Sequence, residues 1–193
     1  MGITRLEHAS PADIARLSAV LGEAFADYAW TRWTVDSERR EARISAIQRL
    51  YLEHLGLPHG EVWADEVRTA VAVLLPPHLS ALDPAPLTAG LQDKLASLHG
   101  DSARNLHYPL PQAPAGAWTL ATIGVAPAAQ GSGLGTQLIE AILSAGPGRA
   151  IALETSAESN VAFYRRFGFG VWAVSEMPDG GPLVWSMLRG PGG

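Results

Sequence analysis

The residues with the clearest capacity for chemistry are the glycines of Gln130-Gly131-Ser132-Gly133-Leu134-Gly135. They follow the apolar run Trp118 to Val125 and precede a stretch in which Leu134, Leu138, Ile139, Ile142 and Leu143 recur at helical spacing. A loop so placed brings the unpaired N–H groups and partial positive charge of a helix N-terminus to an anion, above all a pyrophosphate. Alternate glycines remove Cβ atoms that would hold a phosphate away from the main chain. A Walker A loop is excluded, because no Lys-Ser/Thr pair ends the stretch. A dinucleotide fingerprint has Glu154 in its favour, about twenty residues downstream at a strand end. Against it stand the GxGxG spacing, the intervening Ala126 to Gln130, and the presence of one β-α-β unit where a full dinucleotide fold needs more. A glycine-rich turn without a ligand is the plain alternative.

The rest of the chain supplies a frame of alternating strands and helices. Ile3 to Glu7 predicts a short strand, and Ser10, Pro11 and Asp13 open a helix that runs to about Phe25. Asp27 to Val35 reads as irregular and aromatic, and Ser37 to Leu55 as a helix through Ile44, Ile47, Leu50, Tyr51 and Leu55. Gly60 to Asp65 and Arg68 to Leu75 predict a strand pair, stopped by Pro76-Pro77. Leu79 to Gly116 is expected to hold one or two helices around Leu87 to Leu98, then a proline-containing loop. The helix after the glycine loop ends at Gly146-Pro147-Gly148, and Ala150 to Glu154 predicts a strand. Thr155-Ser156-Ala157-Glu158 has a capping-box pattern, opening a helix that ends at Gly168. Val171 to Met177 and Leu183 to Leu188 predict an antiparallel hairpin around Asp179-Gly180-Gly181. The sum is a mixed α/β (α+β) chain of about seven strands and four or more helices, without an internal repeat.

Composition narrows the function classes. The 193 residues can bury a core without staples, and they fit one domain. Absence of cysteine excludes disulfides, thiolate metal sites and a cysteine nucleophile, and fits a cytoplasmic protein. No apolar run approaches about 18 residues, and the N-terminus lacks a secretory pattern, so no membrane partner is expected. A net charge of −5 argues against nucleic acid, and it suits a cationic acceptor. No metal is expected, since no histidines and carboxylates cluster at ligand spacing; His59 and His107 read as solvated loop residues. Six tryptophans are many for this length, as core residues or as walls for a flat substrate.

Leu120 to Gly135 resembles the acetyl-CoA-binding motif of the GNAT acetyltransferase superfamily: a strand ending Val125-Ala126-Pro127, then Gln130, Gly133 and Gly135 at the defining positions. Leu153 to Phe169 resembles the family's second motif, with Asn160, Tyr164 and Gly168-Phe169 in place. The likeness extends to the puromycin N-acetyltransferase group through Ala24 to Tyr28, Thr31-Arg32, Thr34 to Asp36, Gly60 to Trp63, Ala70 to Val73 and Ala117-Trp118. It weakens at the N-terminal strand and between Leu79 and Gly116.

The resemblance implies one GNAT domain over residues 1–193, with a single mixed, mostly antiparallel sheet flanked by helices. It implies an enzyme that moves an acetyl group from acetyl-CoA to a primary amine of a small molecule, a puromycin-like aminonucleoside, by direct transfer. Another small amine, a protein amino group, or a CoA-binding sensor without turnover are the alternatives, and a homodimer is left open. The donor would be held by Ile123, Gly124, Val125, Gln130, Gly131, Ser132, Gly133, Leu134, Gly135, Thr136 and Asn160, with an N–H near Ile123 facing the thioester oxygen. Tyr164 would protonate the leaving thiolate. Glu154 would take the amine proton directly or through water, or would act only as a charge at the following helix N-terminus. Asp27, Tyr28, Trp30, Trp33 and Trp118 are candidates for the acceptor pocket; the aromatic ones have a core reading as well.

Overall fold

Ser10 starts the first helix as its type predicts. Its Oγ accepts the N–H of Asp13, and the Asp13 carboxylate accepts the N–H of Ser10, a reciprocal capping box with Pro11 at the first helical position. The computed structural model, which describes residues 2–79 and 89–192, then runs through helix α1 (Pro11–Phe25), α2 (Ala29–Thr34), α3 (Arg40–Tyr51), α4 (Leu57–His59), α5 (Ala89–His99), α6 (Leu134–Ala145) and α7 (Glu158–Arg165). The strands are β1 (Ile3–Arg5), β2 (Glu61–Asp65), β3 (Ala70–Leu75), β4 (Trp118–Val125), β5 (Ile151–Thr155), β6 (Gly170–Glu176) and β7 (Leu183–Arg189). They form one seven-stranded sheet in the order β1-β2-β3-β4-β5-β7-β6, in which the β4–β5 pair is parallel and the others are antiparallel. The expected mixed, mostly antiparallel sheet flanked by helices is therefore present.

Alternation along β3 divides the core. Val71, Val73 and Leu75 join α1, α3 and α5 on one face, whereas Ala70, Ala72 and Leu74 join α6 and α7 on the other. Leu138, Ile139 and Ile142 are almost wholly inaccessible. Burial of each stabilises the sheet–helix contact by roughly 1.5–3 kcal/mol. On the first face α1 presses so closely on β4 that a Cβ at Gly124 would stand 2.9 Å from Leu21 Cδ2. At the β2–β3 turn the buried Asp65 carboxylate accepts the N–H groups of Thr69 and Ala70 and the Thr69 hydroxyl, each at 2.7 Å.

Four elements differ from expectation. Residues 29–34 are helical, not irregular: Asn105 Nδ2 donates to Trp33 O at 2.6 Å and His99 Nδ1 lies 2.7 Å from Thr34 O, so distant groups satisfy carbonyls that a six-residue helix leaves open. The next helix starts at Arg40, because Arg39 adopts φ +50°, and passes into a π turn over Leu52–Gly56. The helix expected from Leu87 begins outside the described residues; its described part runs to His99, and a 3₁₀ segment over Gly100–His107 follows, which the sequence did not suggest. Asp36 caps that segment by accepting from the N–H groups of Asp101 and Ser102 and the Ser102 hydroxyl. Finally, α7 starts at Glu158 behind Ala157 without a side-chain cap, so the anticipated capping box does not form.

Candidate active site

The site begins with an incomplete strand pair. β4 and β5 pair only at Trp118↔Ile151 and Thr119↔Ala152, and beyond these the two strands part. Val73 faces Thr122 and Leu74 faces Leu120, which leaves Ala121 as an extra residue, a bulge in β4. Bulges bend a strand and increase its twist, which here carries β4 away from β5. Main-chain groups along the separated edges are thereby freed for a ligand.

A cavity of about 220 Å³ opens on this split. Apolar side chains of α3 and the π turn (Ile44, Ile47, Leu52, Leu55) wall one side, β4 residues Leu120 to Ile123 form another, and Tyr28 and Trp30 cover it. Glu154, Thr155, Asn160 and Tyr164 also line it. Burial raises the Glu154 carboxyl above the ordinary carboxylate range, moving it toward a pH at which it can exchange a proton in water. Burial, and secondarily the neighbouring Tyr28, push the Tyr164 phenol far above its ordinary value of 10.0, so the phenol keeps its proton. Among the described residues no hydrogen bond holds the Tyr164 hydroxyl, and Phe163 and Phe169 pack around its ring with centroids at 5.2 and 5.7 Å. His99 also lines the cavity; burial lowers its pKa, and its neutral ring has Nδ1 turned to Thr34 O.

The glycine loop lies at the mouth of α6. Gly131 and Gly133 have φ of +78° and +86°, and Gly133 is the N-cap with no side chain closing the helix end. A Cβ at Gly131 would meet nothing within 4 Å, and at Gly133 only the end of Gln137 at 3.9 Å. This open, uncapped cradle fits a pyrophosphate, the anionic part of acetyl-CoA. Gln130 Nε2 donates to Val125 O at 3.2 Å and Ser132 Oγ to Ala129 O at 2.6 Å, which folds the loop back onto the end of β4. Gly133→Val would force a β-branched residue into the left-handed region, at about 1–2 kcal/mol, and fill the cradle. We expect acetyl-CoA to bind at least about tenfold more weakly by calorimetric titration; an unchanged Kd would remove the loop as the donor site.

The other sequence candidates fall in two groups. Ile123, Tyr28, Trp30 and Asn160 line the cavity, and Val125 and Thr136 lie on β4 and the first turn of α6. Asp27, Trp33 and Trp118 do not line it: Asp27 is solvent-exposed, Trp33 packs edge-on against Trp30, and Trp118 lies under the Arg149 guanidinium at 4.3 Å. Thr155, Ser156, Thr122 and His99 were not singled out from sequence. Thr122 has a buried hydroxyl without a partner. No motif marks these residues, and only the folded chain brings them to the split.

Residues 103–171, which hold the split strands, the glycine loop and α7, match the acetyltransferase (GNAT) domain. A Corynebacterium glutamicum structure solved as a histone acetyltransferase and related acetyltransferase is 25% identical; the match covers 99% of this chain and 97% of that one, with a TM-score of 0.74. The Drosophila melanogaster polyamine N-acetyltransferase, which forms N-acetylagmatine, is 15% identical over 97% and 99%, with a TM-score of 0.58. A ribosomal-protein alanine N-acetyltransferase from Escherichia coli is 16% identical over 98% and 92%, at 0.53. At those two identities the likeness is one of fold. With the domain match over residues 103–171, the glycine cradle and the split sheet together, the chain has the GNAT fold and is an N-acetyltransferase, for which the matched domain implies acetyl-CoA as donor.

Proposed function

We propose that this enzyme acetylates the primary amine of a small molecule, an aminonucleoside of the puromycin type, by direct transfer while donor and acceptor are bound together. The observation that carries the reading is the cavity at the strand split, where apolar and aromatic walls surround Glu154 and Tyr164. Glu154 is the one Asp, Glu, Lys or Arg among its described lining residues. An acceptor with one ammonium and a flat apolar body matches those walls, whereas a second ammonium would lose hydration without a counter-charge.

Acetyl-CoA brings an acetyl group already activated as a thioester. The glycine cradle, Gly131 to Gly135, holds its pyrophosphate, and the free edge around Ile123 to Val125 receives its pantetheine arm. Glu154 takes a proton from the acceptor amine, directly or through a water, and its elevated pKa makes it a stronger base than a solvated carboxylate. Tyr164 gives its phenolic proton to the departing thiolate. Burial of the phenol makes that transfer uphill, and the thiolate needs only weak acid help to depart, because its thiol has a pKa of about 8–9.

Incubation with acetyl-CoA and a panel of amines that includes puromycin, followed by thiol release, tests the reading. Turnover of puromycin above that of polyamines and peptide N-termini is expected, and no turnover with any amine would overturn it. Glu154→Gln should lower kcat about a hundredfold. It should also abolish the fall in kcat on the acid side, which in the parent lies above the ordinary carboxylate range because the folded pKa is raised. An acid limb that persists in Glu154→Gln would assign the limb to another group.

A further inference from the structure

α7 carries both Asn160 and Tyr164, yet no side chain of its own first turn caps it. The N–H groups of the two residues that precede it are met by hydroxyls. The Ser156 N–H donates to the Tyr28 hydroxyl at 2.7 Å, across 128 positions of sequence, and the Ala157 N–H donates to Thr155 Oγ1 at 3.3 Å. The two hydroxyls of Tyr28 and Thr155 are themselves 2.7 Å apart. Thr155 Oγ1 also accepts from Asn160 Nδ2 at 3.2 Å, so a continuous polar path runs Tyr28–Thr155–Asn160. A second tie lies beside the first, where the Trp30 N–H donates to Ser156 Oγ at 3.0 Å. Thr155 is 3% exposed, and bonds of this kind are strengthened where water is excluded.

The two ends of that path do different work. Tyr28 and Trp30 belong to the segment that covers the acceptor cavity, and Asn160 and Tyr164 stand on the helix beside the split. We infer that Tyr28 is a positioning residue: through its hydroxyl it holds the end of β5 and the first turn of α7, and it thereby couples the cover over the acceptor cavity to the donor side. The inference rests on the acetyl-transfer reading for its effect on rate, but not for its effect on structure. The ring of Tyr28 packs edge-on against Phe25, with centroids at 5.2 Å, and that contact survives loss of the hydroxyl. Tyr28→Phe therefore isolates the polar link from the packing.

Three readouts on the full-length protein test it. In the parent, coenzyme A should slow amide exchange both in α7 and in the covering helix α2; in Tyr28→Phe both responses should weaken, α2 the more, with the Trp30–Ser156 bond keeping the remainder. Thr155→Val, which keeps the shape and removes the oxygen, should produce part of this change, since the Tyr28–Ser156 bond remains, and Thr155→Ser should recover most of what Thr155→Val loses. With an active amine, kcat should fall about tenfold in Tyr28→Phe while the acceptor KM changes less than about threefold. The double variant Tyr28→Phe/Thr155→Val should be little worse than Tyr28→Phe alone, as for two ends of one link. An α2 exchange response to coenzyme A that is undiminished in Tyr28→Phe, or a loss of thermal stability with no change in coupling, would overturn the inference. A parent without turnover on any amine would count against the proposed reaction alone, because exchange with coenzyme A needs no acceptor.

Discussion

We expect Tyr164→Phe to lower turnover by about a hundredfold to a thousandfold, the range for loss of the general acid proposed above. The substitution is conservative everywhere else. The ring stays between Phe163 and Phe169, and the hydroxyl leaves no broken hydrogen bond behind among the described residues. Thermal stability should accordingly be kept, because no hydrogen bond among the described residues is broken and the hydroxyl faces the cavity. Acetyl-CoA affinity should change less than about twofold, since the cradle at Gly131 and Gly133 is untouched. Steady-state kinetics with a calorimetric Kd separates the two effects, and an unchanged kcat would remove Tyr164 as the acid. The raised phenol pKa adds a pH signature: parent turnover should show no alkaline fall from Tyr164 anywhere below pH 10.

Asp65→Ala is expected to be the most destabilising of the substitutions considered, at about 3–5 kcal/mol. Its carboxylate satisfies two main-chain N–H groups and one hydroxyl at the buried β2–β3 turn, and alanine leaves all three donors without partners. The damage should reach the donor site as well. Thr69, held by Asp65, accepts the N–H of Ala126 at 2.8 Å, where β4 gives way to the segment leading to the glycine loop. Denaturant unfolding gives the stability, and titration with acetyl-CoA at a temperature where the variant remains folded gives the second effect. A loss below about 1 kcal/mol would show that water replaces the carboxylate at this turn.

Sequence pattern disclosed the elements whose cause is local. Ser10-Pro11-Ala12-Asp13 opens α1 as written, the periodic residues from Leu134 to Ile142 bury one face of α6, and the β6–β7 hairpin forms about Asp179 to Gly181. It was silent where the cause lies far away in sequence. α2 has six residues, too few for periodicity, and its carbonyls are met by His99 and Asn105. The Thr155 capping box failed for the same reason: the Thr155 hydroxyl is engaged by Tyr28 and Asn160, and Tyr28 takes the N–H of Ser156. The candidate site divides along the same line. Gly131, Gly133, Glu154, Asn160 and Tyr164 stand in short motifs and could be named beforehand. Thr155, Ser156, Thr122 and His99 have no motif, and Asp27 and Trp118 looked eligible by type although the fold leaves them outside the cavity.

The two rungs between β4 and β5 also divide the molecule in time. Strands β5, β6 and β7 with α7 join residues close in sequence, so their pairing closes short loops. The half from β1 to β4 must bring Ile3 to Asp65 and Leu75 to Thr119 before its contacts repay the lost chain entropy. We expect such a chain to condense sooner over β5 to β7 than across the pairs that tie β1 to β2 and β3 to β4, and the seam where the halves meet is the place proposed above for the substrates.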